Sequence, residues 1–112
     1  MGESKEAAGE FATVAKVGDV APGSCIGIEY RGALIALCNL DGELHAVEDV
    51  CTHAGAKISE GRLDGNCLIC PWHDASFDVT SGEPAGGPAF SPVPKFEVRV
   101  VGSEIQVRIP PE

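Results

Sequence analysis

The chain has 112 residues, the size of one small domain with a modest hydrophobic core. It carries 17 acidic and 8 basic residues, and the resulting net charge of −9 argues against a nucleic-acid partner and favours a basic surface on another protein. Its 14 Gly and 8 Pro, beside only 5% aromatic residues, are typical of a loop-rich β structure.

The N-terminal residues and the cysteine count bear on the compartment. Five cysteines is an odd number, which favours thiols in a reducing cytoplasm over a set of disulfides. Residues 1–10 are polar and charged, so we expect a flexible tail followed by a single domain over residues 11–112. Residues 1–10 contain no apolar run of the kind found in signal peptides or membrane anchors. The sequence therefore predicts a soluble, cytoplasmic protein with no membrane attachment.

Short apolar runs bounded by Gly, Pro and Asp follow one another along the chain, and none shows a sustained helical period. Asp41-Gly42 is a strong signal for a two-residue hairpin turn, and Arg31-Gly32 is predicted to turn the chain before it. Residues 54–66 and 83–94 are predicted loops, the second because it holds four Pro and two Gly. The predicted fold class is all-β and antiparallel. The predicted strands span residues 11–17, 25–30, 33–40, 43–50, 66–70, 76–79, 96–101 and 104–109.

Two short motifs indicate a metal site. The first is Cys51-x-His53 and the second, after sixteen residues, is Cys70-x-x-His73. Each offers one thiolate and one imidazole, so the four side chains together are a complete donor set for a metal centre. Such a set suits either a tetrahedral zinc ion or a two-iron cluster with the Cys pair and the His pair on different irons.

The order of the donors separates these two possibilities in part. Zinc sites with two Cys and two His usually pair Cys with a nearby Cys and His with a nearby His, whereas both pairs here are mixed. If Cys51 and Cys70 bind one iron, His53 and His73 bind the other. Each loop then spans the whole cluster, which is the arrangement of a Rieske [2Fe–2S] centre. Zinc remains the alternative.

In order and spacing, the two motifs resemble the ligand boxes of the Rieske family. The resemblance extends from about Val14 to Ile109 and includes Gly61, Phe77-Asp78 and Gly82 around the boxes. It implies a β domain of three small antiparallel sheets, with the two ligand loops at one end. It also implies one [2Fe–2S] cluster per chain, bound by the two Cys and two His of the motifs.

Four positions depart from the high-potential Rieske proteins of respiratory complexes. Those proteins carry a third Cys in each box, and the matching residues here are Ala56 and Trp72. They also place a Ser and a Tyr after the last His, where this chain has Ala75 and Phe77. Fewer hydrogen-bond donors to the cluster sulfurs stabilise the added electron less, so we expect a potential near the bottom of the family range of about −150 to +300 mV. Trp72 is expected either to shield the cluster from water or to pack in the ordinary way.

The other chemistry-bearing residues have simpler predicted roles. Cys67 forms a Cys-x-x-Cys pattern with Cys70, but residues three apart on a strand point to opposite faces, so Cys67 should point away from the metal. Cys25, Cys38 and Cys67 are predicted to be core or half-buried thiols. His45 is predicted to be a packed or surface histidine.

The predicted function is electron transfer without catalysis by this chain alone. A mononuclear iron site typically needs two His and a carboxylate, and once the motifs are assigned only His45 is left. No Gly-rich nucleotide loop is visible either. The resemblance implies a soluble, monomeric ferredoxin that takes electrons from a flavin-dependent reductase and passes them to a terminal oxygenase, such as an aromatic-ring-hydroxylating dioxygenase.

Two alternatives remain at this stage. The chain also resembles the small subunit of NADH-dependent nitrite reductase. A large subunit that co-purifies tightly with the chain would favour this alternative. The second alternative is a structural module stabilised by zinc. A colourless purified protein that contains one zinc per chain would establish this alternative.

Overall fold

The computed structural model describes residues 10–51, 56–72, 75–87 and 91–109. Within these ranges the chain forms eleven β-strands and two single-turn 3₁₀ helices, η1 (Val17–Asp19) and η2 (Ile58–Glu60). None of the helical turns in these ranges is long and apolar enough to cross a bilayer. The strands are β1 (Glu10–Lys16), β2 (Cys25–Tyr30), β3 (Ala33–Leu40), β4 (Glu43–Glu48), β5 (Arg62–Asp64), β6 (Cys67–Ile69), β7 (Ser76–Asp78), β8 (Pro84–Gly86), β9 (Lys95–Phe96), β10 (Val98–Val101) and β11 (Glu104–Ile109).

The strands form three small sheets. Sheet 1 has the order β1-β11-β10, sheet 2 the order β2-β3-β4-β9 and sheet 3 the order β5-β6-β7-β8. Every pairing among the described strands is antiparallel. The predicted all-β, antiparallel, three-sheet fold is therefore confirmed. The predicted tail of residues 1–10 lies outside the described residues except for Glu10, which begins β1.

Tight turns set the register of sheet 2. Arg31 (φ 51°) and Gly32 (φ 85°) connect β2 to β3, and Asp41 (φ 57°) and Gly42 (φ 99°) connect β3 to β4. Two successive residues with positive φ are typical of a type I′ turn, whose twist matches that of the strands it joins. Both predicted turns are confirmed, and β2 and β3 have the predicted bounds.

Sheet 2 is the middle layer of the molecule, because β3 is buried on both faces. Ile35 and Leu37 pack into a core that also contains Ile105 and Val107 of sheet 1. The intervening Ala36 and Cys38 pack into a second core with residues of sheet 3. We call this second cluster the sheet 2–3 core. Fully burying a side chain such as Leu or Val contributes about 1.5–3 kcal/mol, so each core is a substantial source of stability. The sheet 2–3 core comprises Ala36, Cys38, Val47, Cys51, Ala56, Ile58, Leu68, Cys70, Ala75, Phe77, Val79 and Val93.

Three parts of the chain differ from the sequence prediction. The predicted loop 54–66 contains η2 and β5, and the predicted connector 83–94 contains β8. These strands have three residues each, too few for an alternating pattern to stand out, and Pro84 is tolerated because β8 is an edge strand of sheet 3. The single strand predicted over 96–101 is divided between β9 in sheet 2 and β10 in sheet 1. The chain changes sheet at Glu97, which no hydrophobic pattern marks.

Candidate metal centre

Two of the four predicted ligands lie together in the sheet 2–3 core. Cys51 follows β4 of sheet 2 and is 1% exposed, while Cys70 directly follows β6 of sheet 3 and is 0% exposed. Both belong to the same cluster of contacting buried residues. His53 and His73 lie outside the described residues. The structure therefore brings the two thiols to one place, from two different sheets.

The two cysteines close their loops in the same way. The backbone N–H of Cys51 donates to the carbonyl oxygen of Ala56 at 2.8 Å, and that of Cys70 donates to the carbonyl oxygen of Ala75 at 2.7 Å. In both cases donor and acceptor are five positions apart. Each predicted ligand loop is thus tied across its ends by a cysteine backbone, which fixes the direction in which the loop leaves its sheet.

A close backbone contact positions the start of the second loop. A Cβ atom on Gly61 would lie 1.7 Å from the carbonyl oxygen of Ile69 and 2.9 Å from its carbonyl carbon. No side chain fits there, so residue 61 has to be glycine. The contact holds the end of β6, and with it Cys70, against the segment that follows the first loop.

A buried carboxylate supports the first loop. Asp49, two positions before Cys51, is 2% exposed and accepts hydrogen bonds from the Ser59 backbone N–H at 2.7 Å and from its hydroxyl at 2.5 Å. The Asp49 N–H donates to the Leu34 carbonyl oxygen at 2.9 Å, which attaches it to β3. A Cβ on Gly27 would lie 2.5 Å from the Ser59 hydroxyl oxygen, so this glycine leaves room for the pair. Asp49 and Ser59 were not among the predicted site residues, since the contact between them joins positions ten apart in the sequence.

Removing the Ser59 hydroxyl should weaken this support. In Ser59→Ala the buried Asp49 carboxylate loses one of its donors, and a hydrogen bond to a charged group contributes about 1.5–3 kcal/mol. We expect the free energy of unfolding to fall by about 2 kcal/mol in urea titrations. Ser81→Ala is the matched control, because the Ser81 hydroxyl accepts a single exposed hydrogen bond from the Glu83 N–H. Equal stabilities of the two variants would contradict the assignment.

The surroundings of the two thiols are apolar where the structure describes them. Ala56, Ala75 and Phe77, three of the four departures noted in the sequence, are buried in the same core. The fourth, Trp72, is 62% exposed, so the expectation that it packs in the ordinary way is wrong. The preceding Pro71 is exposed too, and the second loop therefore presents an uncovered apolar surface immediately after Cys70.

Cys67 lies on the opposite face of β6 from the core residue Leu68, as strand geometry predicts. Partial burial and the nearby carboxylates of Asp78 and Asp64 raise the pKa of its thiol, which keeps it protonated at neutral pH. Cys25 is half-buried and Cys38 is buried, so the prediction of core or half-buried thiols is confirmed for all three. His45 is also packed, since its side chain is 14% exposed and its Nε2 lies 3.3 Å from Oε1 of Glu43.

The donor chemistry fits an iron–sulfur cluster. A thiolate in an apolar core is costly unless a cation neutralises it, and metal binding deprotonates a coordinating thiol. Cys51 and Cys70 both lie in the apolar sheet 2–3 core, where a bound metal centre would neutralise both thiolates. Among the residues that the structure describes, no group of three or more His, Cys, Asp and Glu side chains gathers as a metal site.

Fold and site together define a class of protein. A three-sheet β domain with two loops, each opened by a buried Cys and followed in the sequence by a His two or three positions later, has the fold and the donor residues that suit an iron–sulfur domain. Residues 10–97 match the family model described as Rieske [2Fe-2S] domain. The chain belongs to this family and carries one [2Fe–2S] cluster, so the zinc alternative is set aside.

Similar proteins are components of dioxygenase systems. The "Ferredoxin CarAc" of Metapseudomonas resinovorans is 38% identical over 95 residues, which are 84% of this chain and 89% of that protein. The structure titled "Complex of reduced oxygenase and oxidized ferredoxin in carbazole 1,9a-dioxygenase" has a chain with TM-score 0.85 and 35% identity, with 91% of this chain and 95% of that chain covered. The structure of the ferredoxin of carbazole 1,9a-dioxygenase from Nocardioides aromaticivorans IC177 matches with a TM-score of 0.85 and 28% identity. The match covers 92% of this chain and 99% of that ferredoxin chain.

Proposed function

We propose that this chain is a ferredoxin that passes single electrons from a flavin-dependent reductase to a terminal oxygenase, and that it is not catalytic by itself. In this proposal Cys51 and Cys70 bind one iron of the cluster and His53 and His73 bind the other. The observation that carries it is the pair of equivalent loops, each closed by the backbone N–H of a buried cysteine. The relatives named as ferredoxins support it over a nitrite reductase subunit.

The residues of the chain hold the centre and limit its contact with water. The cluster, when bound, supplies a site that accepts and releases one electron. Burial of Cys51 and Cys70 keeps solvent from the thiolates, and the sheet 2–3 core fixes their positions. Ala75 and Phe77 offer no hydroxyl to the cluster sulfurs, which supports a low potential. A midpoint potential above about +100 mV, in the upper part of the family range, would contradict this part of the proposal.

Exposed apolar side chains and the overall charge supply the contact with partners. Trp72, two positions after Cys70, is 62% exposed, and exposed aromatic residues are frequent anchors of protein interfaces. The net charge of −9 steers the chain toward basic surfaces on the reductase and the oxygenase. The proposal places the protein in the cytoplasm as a monomer that exchanges between the two partners.

Electron delivery to the oxygenase should therefore slow as salt rises. Salt screens the attraction between opposite charges, and we expect the second-order rate constant to fall by about tenfold between ~0.02 and ~0.5 M NaCl. Stopped-flow mixing of the reduced protein with its oxygenase measures this constant. A rate independent of salt would contradict the electrostatic docking.

The location of the docking surface is tested by a matched pair of variants. Glu60 lies in η2, beside the first ligand loop, whereas Glu10 begins β1 in sheet 1, and both are exposed. Glu60→Gln should lower the rate at low salt more than Glu10→Gln does, because it removes a charge close in sequence to the first ligand loop, around which we propose that the partners dock. Equal rates for the two variants would place the docking surface elsewhere.

A further inference from the structure

Two cysteines that have no part in the metal centre face each other across β2 and β3. Cys25 and Cys38 are direct partners in the register of this hairpin, and their Sγ atoms are 2.9 Å apart. Both are free thiols. The contact is therefore between two reduced sulfurs that are already closer than the sum of two ordinary van der Waals radii.

The backbone at this position suits a covalent bond between them. The Asn39 N–H donates to the Ser24 carbonyl oxygen at 3.0 Å, which places Ser24 and Asn39 at a hydrogen-bonded position of the ladder, while the Asn39 carbonyl oxygen accepts from the Gly23 N–H at 2.8 Å. Hydrogen-bonded and non-hydrogen-bonded pairs alternate along an antiparallel ladder. The next pair, Cys25 and Cys38, is therefore a non-hydrogen-bonded one. Cα atoms of such pairs lie about 4.5 Å apart, at the short end of the range of about 4.4–6.8 Å found for disulfides.

The two thiols differ in access. β2 is an edge strand of sheet 2, and Cys25 on it is half-buried and packs against the sheet 2–3 core, so Cys25 is the more accessible of the two residues. Cys38 is 0% exposed and belongs to the sheet 2–3 core with Cys51 and Cys70. The hydrogen bond with Cys38 and burial raise the pKa of the Cys25 thiol, so Cys25 reacts slowly in its reduced form.

We propose that Cys25 and Cys38 form a redox-active dithiol, separate from the metal centre, which a low-molecular-weight disulfide oxidises to a reversible intrachain disulfide. The Cys25 sulfur loses its proton as it attacks one sulfur of the small disulfide, whose S–S bond breaks, and the departing small thiolate takes up a proton and leaves as a thiol. The Cys38 sulfur then attacks the Cys25 sulfur of the mixed disulfide and releases the second small thiol. The protein loses two electrons and two protons, and the small disulfide gains both.

The geometry explains why such a bond is reversible. The second step is fast relative to any competing reaction, because the sheet holds the Cys38 sulfur beside that of Cys25. Cys25 is only half-buried, so a small thiol in excess can attack the disulfide and reverse the reaction. The pair therefore responds to the thiol–disulfide balance around it instead of being a permanent crosslink.

Peptide mapping of the cluster-loaded protein tests the proposal. The protein is equilibrated without oxygen in 2-mercaptoethanol and its disulfide, and remaining thiols are blocked with N-ethylmaleimide. Cleavage with trypsin and a glutamate-specific protease gives peptides 17–29 and 32–43, in which Cys25 and Cys38 are the sole cysteines. We expect these two peptides to be linked, with a mass about 2 Da below their sum, and dithiothreitol to separate them.

The controls distinguish this pair from other thiols. Cys25→Ser should abolish the link while leaving the visible spectrum of the cluster unchanged, and Cys67→Ala should leave the link intact. Complete alkylation of both peptides, even when the 2-mercaptoethanol disulfide is in large excess, would overturn the proposal. So would a link from either peptide to Cys67 or to a cluster cysteine. The wild-type map decides the result even if a variant fails to fold.

Discussion

Cys70→Ala is expected to remove the iron–sulfur cluster and with it essentially all electron transfer, a loss of at least about 100-fold. Changes to residues that only support metal ligands already cost about 10–100-fold, and this substitution removes a proposed ligand itself. The surrounding core tolerates alanine, since Ala56 and Ala75 are already buried in it. Iron and acid-labile sulfide content, together with the visible absorbance, measure the outcome.

Cys38→Ala is the matched control for this experiment. Cys38 and Cys70 are both 0% exposed and both belong to the sheet 2–3 core, so the two variants lose the same sulfur atom from the same packing environment. Only Cys70→Ala should lose iron. If Cys38→Ala also lost its iron, the effect would come from packing and the proposed ligand assignment would fail. Full iron content in Cys70→Ala would exclude Cys70 as a ligand.

Gly61→Ala is expected to lower the free energy of unfolding by about 3 kcal/mol or more, at the upper end of what single substitutions do. The added Cβ would lie 1.7 Å from the Ile69 carbonyl oxygen, and the obstacle is backbone, which no side-chain rotation relieves. The strand that delivers Cys70 has to move, so cluster content should fall too. Urea titration and iron analysis measure the two effects.

Gly18→Ala serves as the control for the added methyl group. A Cβ at Gly18 meets nothing within 4 Å, and this glycine is not among those with positive φ. We expect a change of at most about 1 kcal/mol, in the stabilising direction, because alanine has less freedom in the unfolded chain. A Gly61→Ala protein as stable as Gly18→Ala would contradict the close contact between residues 61 and 69.

The β2-β3-β4 part of sheet 2 was predictable because its signals are local. Two turn dipeptides, Arg31-Gly32 and Asp41-Gly42, flank an apolar run, and each fixes the register of its hairpin by itself. The same register places Cys25 opposite Cys38, a consequence that treating each cysteine separately did not reveal. For the candidate site, strand alternation was sufficient to separate Cys67 from the buried Cys70.

The remaining features depend on contacts between distant parts of the chain. Asp49 is recognisable as a structural residue only once Ser59, ten positions later, is seen to donate to it. The need for glycine at residue 61 arises from the backbone of Ile69, in another strand. β8 has three residues and begins with proline, so its propensity argues against a strand, and pairing with β7 decides the outcome.

The attachment of the two ligand loops to different sheets has a kinetic consequence. Cys51 extends from sheet 2 and Cys70 from sheet 3, and each is held by its own backbone N–H within a close-packed core. Anchors held in this way shift little when the charge of the centre changes by one unit. We therefore expect a small reorganisation energy, so that the rate of tunnelling to a bound acceptor depends mainly on distance and driving force.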